Sequence, residues 1–135
     1  MERHSSHGSE SLWLSALKIA AVSVLLNVII FYIGKAFGSM HSYLPVPSER
    51  QLTLIPVIVV SALAAFIGAG AYALLRLFVS RPYKVFSILA VIVLIVSFAA
   101  PYIVPGVNHD MAFTLDAMHI VVVAAMLFFL RRHRG

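Results

Sequence analysis

Long stretches of this sequence are apolar on every face, and this feature limits the possible folds more than any other. The segments "LTLIPVIVVSALAAFIGAGAYALL" and "VFSILAVIVLIVSFAA" would have no polar face as helices, whereas a surface helix of a soluble domain has one. About 20 such residues, rising ~1.5 Å each, cross the ~30 Å hydrocarbon core of a bilayer. The sequence therefore predicts an integral membrane protein.

Four segments are long enough to span the bilayer, near residues 13–37, 52–77, 84–104 and 112–131. Short connections rich in proline, glycine and polar residues separate them, and short connections favour antiparallel neighbours. We therefore expect an all-α, integral membrane four-helix bundle with up-down-up-down topology. Residues 1–12 are predicted to be a polar cytoplasmic tail and residues 132–135 a basic cytoplasmic end. The alternative for the first span is a signal peptide, but its apolar run exceeds the usual ~7–15 residues.

The basic residues predict the orientation of the bundle. The chain carries a net charge of +5, and its Lys and Arg side chains cluster beside the ends of the spans. The clusters include Arg76, Arg81, Lys84, Arg131, Arg132 and Arg134. With four spans these residues share one side, which the positive-inside rule makes cytoplasmic. The prediction is a bacterial inner membrane protein with both termini in the cytoplasm. Nucleic acid is not an expected partner, because no water-exposed segment combines basic residues with interleaved aromatics.

Each span carries one polar residue at a similar predicted depth, roughly 10–14 Å below the outer surface at ~1.5 Å per residue. These residues are Asn27, Ser61, Ser97 and His119. If all four face inward they form one polar layer, with Asp116 about a turn shallower and Tyr102 above it. Together the six residues are the candidate ligand-binding set. The alternative for Asn27, Ser61 and Ser97 is plain interhelical hydrogen bonding, worth about 0.6 kcal/mol each.

Asp116 and His119 are the two ionisable residues in the interior of the last predicted span. Their i, i+3 spacing places both on one helix face, so they can satisfy each other or reach a common partner. A charged Asp at the centre of a membrane helix costs roughly 2.5–3.5 kcal/mol, and Asp116, which is predicted near the interface, would cost less. The cost still favours a functional reason for its presence. The two interpretations are ligand contact or proton handling, and a self-satisfied pair that fixes helix packing.

Several kinds of chemistry lack the residues they need. The chain contains no cysteine, so disulfides and thiolate ligands are excluded within it. A metal site is not expected, because Asp116 and His119 supply two ligands while His41 and His109 lie in predicted loops. A single intramembrane histidine does not provide bis-histidine haem ligation. No catalytic residues are predicted, and an enzymatic role is the weaker interpretation.

Small residues recur at four-residue spacing along the second span, at Ser61, Ala65, Ala69 and Ala73. Small side chains allow close approach of another helix backbone in lipid. The stripe is expected to pack inside the bundle, and the alternative is a seam between copies of the chain.

The sequence resembles a family of small uncharacterised bacterial four-helix membrane proteins, known as a domain of unknown function. The resemblance rests on Asn27 in the first helix, Arg81-Pro82 before the third helix, and the Met118-His119 step in the fourth. It covers the chain from about Leu14 onward and implies the four-helix topology. It directs attention to His119 rather than to Asp116, where this family typically has an apolar residue.

The expected function follows from the polar layer around His119. The leading hypothesis is a non-enzymatic membrane protein that binds a hydrophobic or amphipathic ligand, or a partner subunit, through this layer. One alternative is a redox-associated subunit that contacts a quinone, and another is an oligomeric transporter or pore. The cofactor is unknown, with quinone or lipid as the candidates. The expected partners are the lipid bilayer and either further copies of the chain or a larger membrane complex.

Overall fold

Four α-helices make up most of the part of the chain that the computed structural model describes, residues 11–39, 53–105 and 107–133. They are α1 (Leu12–Ala36), α2 (Leu54–Phe78), α3 (Pro82–Ile103) and α4 (His109–Leu130), followed by a 3-10 turn at Arg131–His133. All four are long and apolar enough to cross a membrane. The prediction of an all-α four-helix membrane bundle is confirmed, and the protein is a small multi-pass membrane protein.

Local sequence signals set the ends of α1. The Ser11 hydroxyl accepts a hydrogen bond from the Leu14 N–H at the start of the helix. At its end, Gly38 takes a positive φ of 80°, and the Ser39 N–H bonds to the Gly34 carbonyl at 2.9 Å. A left-handed glycine with this bond closes the last turn and satisfies carbonyl groups that the helix leaves open.

The helices α3 and α4 begin two or three residues before their predicted starts, and a local sequence signal explains each difference. The fourth helix begins at His109 rather than near 112, because the Asn108 side chain caps it by accepting from the Met111 N–H at 2.7 Å. The third begins at Pro82 rather than near 84, because proline suits the first turn, where its missing N–H has no intrahelical partner.

The helix α1 packs most extensively against α2 and next against α4, while α3 packs mainly against α4. The small residues of α2 lie inside the bundle, with Ser61, Ala65 and Ala69 buried. A Cβ added at Gly68 would lie 2.5 Å from the Met126 Sδ, so this glycine permits close approach of α4. The small-residue stripe of α2 therefore serves packing within the bundle.

The third helix is the least enclosed of the four. Its buried residues are Pro82 and Phe86 at one end and Pro101 at the other. Between Phe86 and Pro101 none of its residues is buried, and several apolar side chains, including Ile92 and Ile95, are exposed. The middle of α3 therefore covers its neighbours poorly.

The beginning of α1 and the end of the described chain meet at one end of the bundle. The Ser15 Oγ and the His133 Nε2 are 2.8 Å apart, which fixes α1 and α4 as antiparallel neighbours. We call this the basic end, since Arg76, Arg81 and Arg131 also lie there, and the opposite end the distal end. Residues 1–10 of the predicted tail (1–12), residues 40–52 of the first loop region and residues 134–135 of the predicted basic end lie outside the described residues.

Candidate functional site

The polar residues of α1 and α2 meet inside the bundle. The Asn27 Nδ2 donates to the Ser61 Oγ at 2.8 Å, and both side chains are buried. Asn27 is positioned on the buried stripe of α1, which recurs every four residues from Ser15 through Ile19 and Ser23. The Asn27 Oδ1 is buried without a hydrogen-bond partner in the described part of the chain. The interhelical bond that the sequence analysis gave as an alternative is therefore present between these two residues.

Asp116 pairs with α3 rather than with His119. The Tyr102 hydroxyl donates to the Asp116 Oδ2 at 3.2 Å, so this bond joins α3 to α4 near the distal end. The other carboxylate oxygen, Oδ1, is buried and has no partner among the described residues. The Tyr102 ring also lies 6.1 Å from the His109 ring. The Asp116 Oδ2 thus accepts one hydrogen bond from Tyr102, and the buried Oδ1 accepts none from the described residues.

His119 lies on the surface of the bundle, in the middle of α4. Its Nδ1 is 2.8 Å from the Leu115 carbonyl oxygen. A carbonyl oxygen only accepts, so Nδ1 carries the hydrogen and, in a neutral ring, Nε2 presents a lone pair. The described residues place no hydrogen bond on that lone pair. His119 therefore faces outward in this structure, and the described residues show no hydrogen bond between His119 and Asp116.

The exposure of His119 interrupts an otherwise buried face of α4. Ala112 and Met126 lie seven residues before and after it, on nearly the same side of the helix. They are 1% and 7% exposed. The buried residues of α3 lie near its two ends, whereas the residues in its middle are half-buried or exposed. His119 is therefore uncovered at the level where α3 contributes least to the bundle.

Ser97 lies on α3 and is half-buried. The six candidate residues do not form one layer around a common centre. They form a buried pair between α1 and α2, a partly exposed pair between α3 and α4, the half-buried Ser97 on α3, and an outward-facing histidine one turn from the second pair. Tyr102, Asp116 and His119 are consequently the members that an outside molecule can reach together.

The comparisons with known proteins give a family and no further relative. The model of a family of unknown function, DUF6069, matches residues 7–135. This chain belongs to the DUF6069 family. No curated protein and no solved structure is significantly similar to it.

The DUF6069 match spans all four helices, so the family unit includes the bundle and its basic end. At that end the Tyr72 hydroxyl donates to the His133 carbonyl oxygen at 2.7 Å, and Ser15 contacts the His133 ring. Ser15 and Tyr72 are fully buried. The sequence analysis missed this cluster, because the basic residues after α4 indicate only an orientation anchor. One sequence signal did mark the buried face of α1 that includes Ser15. Polar residues recur on it at multiples of four positions, at Ser15, Ser23 and Asn27.

Metal binding gains no support from the described part of this DUF6069 protein. Within residues 11–39, 53–105 and 107–133, no three His, Asp or Glu side chains are grouped so that they could hold a metal ion. His41 lies outside these residues. The chemistry that Asp116 and His119 offer is therefore acceptance of hydrogen bonds within the span of α4.

Proposed function

We propose that this protein is a membrane-embedded binding protein whose outward face around His119 engages a partner subunit or an amphipathic ligand. The observation that carries the proposal is the exposed His119 side chain, with its Nδ1 hydrogen committed to Leu115. The residue lies ten positions after the start of α4, or about 15 Å along a helix that spans a ~30 Å hydrocarbon core. This position lies within the hydrocarbon core, in its predicted outer half.

Lipid tails offer no hydrogen-bond donor to the His119 Nε2. A polar group that loses water without gaining a hydrogen bond is costly, and intramembrane polar residues usually face protein or a polar cavity. A partner that supplies an O–H or N–H at this level removes that cost.

A quinol is the second candidate occupant, as part of a redox-associated complex. In a neutral ring the His119 Nε2 presents an acceptor, so the site fits a hydroxyl group of a reduced quinol better than a carbonyl group of a quinone. We also propose that the protein lies in a bacterial inner membrane with both termini in the cytoplasm. The concentration of Arg and Lys side chains at the basic end supports this orientation.

Native mass spectrometry in mild detergent, with lipid extraction of the same sample, tests the proposal. The samples are wild type, His119→Ala, His119→Gln and Ile67→Ala. Ile67 is an exposed apolar residue in the middle of α2 and serves as the control for loss of a surface side chain. We expect a bound mass in the wild type that is lost in His119→Ala and retained in Ile67→Ala. The Gln variant keeps an acceptor and should retain part of the binding. A bare, folded protein in every sample would contradict the proposal.

A further inference from the structure

A second feature, separate from His119, is a groove of about 490 Å³ between α1 and α4 at the distal end. Its inner part is apolar and includes Ile30, Gly34 and Ala117. Two phenylalanines, Phe37 and Phe113, stand beside it and are 86% and 73% exposed. From the level of residue 110 to Ala117 the groove descends seven residues along α4, roughly 10 Å. Its size and depth suit part of an acyl chain that enters from the headgroup layer.

The polar groups of the groove lie at its outer rim and are placed to accept hydrogen bonds from a ligand. The Ser39 hydroxyl donates to the Gly34 carbonyl at 2.9 Å, and the Thr114 hydroxyl donates to the Asp110 carbonyl at 2.9 Å. The two hydroxyl oxygens lie 3.1 Å apart. Since each hydroxyl has one hydrogen and both hydrogens are used within the protein, the oxygens present only lone pairs to a ligand.

Asp110 gives the rim a negative charge. It is exposed, lines the groove, and forms no ion pair with a basic side chain of the described residues. The positive end of the α4 helix dipole does not make the rim attractive to an anionic group. Asp110 itself lies in the first turn, and the Asn108 side chain and carbonyl accept from the Met111 and Ala112 N–H groups. A ligand headgroup here meets a carboxylate and hydroxyl lone pairs.

We propose that this groove binds a phospholipid whose headgroup carries a primary ammonium, as phosphatidylethanolamine does. The acyl chain lies between α1 and α4, and the ammonium group bonds to the Asp110 carboxylate at the rim. A primary ammonium has three N–H donors for an acceptor-only rim, whereas a quaternary ammonium has a charge but no donor. An anionic headgroup would be repelled by Asp110. The site is distinct from the surface at His119 and does not depend on the function proposed for it.

Titration of the detergent-solubilised protein with single phospholipids, followed by native mass spectrometry, tests this site. The lipids are phosphatidylethanolamine, phosphatidylcholine and phosphatidylglycerol with identical acyl chains, so that only the headgroup differs. The variants are Asp110→Asn, Asp110→Glu and Phe113→Ala. Phe78→Ala is the control for Phe113→Ala, because Phe78 is an equally exposed phenylalanine at the basic end.

We expect the first bound phosphatidylethanolamine to bind about tenfold more tightly than phosphatidylcholine, a difference of about 1.4 kcal/mol. Asp110→Asn should abolish this selectivity and Asp110→Glu should keep it. Phe113→Ala should weaken binding of the lipid severalfold, while Phe78→Ala should not. His119→Ala should leave the selectivity unchanged, which separates this site from the partner surface. Equal binding of the three lipids, tighter binding of phosphatidylglycerol, or selectivity that survives Asp110→Asn would each overturn the proposal.

Discussion

The hydrogen bond between Asn27 and Ser61 provides a direct measure of how much a buried polar pair stabilises this bundle. The two groups are 2.8 Å apart and enclosed by protein, so their bond has little competition from water. Interhelical bonds of this kind average about 0.6 kcal/mol and reach about 1.7 kcal/mol. We predict a coupling free energy of about 1 kcal/mol for the pair, with the bonded form favoured.

The net effect of Asn27→Leu alone should be smaller than the loss of a bond suggests. The substitution removes the Ser61 contact, but it also removes the Asn27 Oδ1, which is buried without a partner among the described residues. Removing an unsatisfied buried acceptor recovers part of the cost of burying it. We therefore expect Asn27→Leu to lower the free energy of unfolding by under about 1 kcal/mol, within the range of an ordinary single hydrogen bond.

A double-mutant cycle separates these contributions. Wild type, Asn27→Leu, Ser61→Ala and the double variant are unfolded reversibly by SDS in mixed micelles, and helicity is followed by circular dichroism. The cycle isolates the pair because each single change removes the bond while leaving the other side chain in place. A coupling indistinguishable from zero would refute the bond. A coupling well above the known maximum of about 1.7 kcal/mol would refute the view that it is one ordinary interhelical bond.

Two further predictions concern helix packing and orientation. Gly68→Val should lower the free energy of unfolding by about 1 kcal/mol, the low end of the usual cost of overpacking, since a Cβ there meets the Met126 Sδ at 2.5 Å and this flexible end of the side chain must shift. Gly70→Val is the control, because a Cβ at Gly70 has nothing within 4 Å, and equal losses would contradict the α2–α4 contact. The chain has no cysteine, so a membrane-impermeant thiol reagent added outside cells reports orientation without background. It should label Val104→Cys but not Ser80→Cys, and the reverse labelling would overturn the predicted topology.

The sequence predicts the four membrane helices well, because uniform hydrophobicity and short polar connections are local properties. It also places Asn27 and Ser61 at one level, since depth follows from counting residues along each helix. The precise starts of α3 and α4 differ from the prediction by two or three residues. Those starts depend on the Pro82 turn and the Asn108 cap, which compete with hydropathy at the ends of a span.

The orientation of His119 could not be predicted from its depth. Counting along a helix gives a level, whereas the direction of a side chain depends on the rotation of its helix and on the neighbour that covers it. Here the neighbour is α3, which buries residues at Phe86 and Pro101 but none between them. The cluster of Ser15, Tyr72 and His133 was missed for a related reason, since it requires the ends of three segments to meet.

The central claim is that the outward face of α4 at His119 engages a specific partner within the bilayer. Incorporation of a photo-crosslinking amino acid at Ile120, followed by irradiation of intact membranes, tests it most directly. Ile120 is exposed and adjacent to His119, and Ile67 on α2 is the matched exposed position. We expect a discrete crosslinked product from position 120 that is lost with His119→Leu and absent from position 67. Identical products from both positions, or a product from position 120 that persists in the His119→Leu variant, would contradict it.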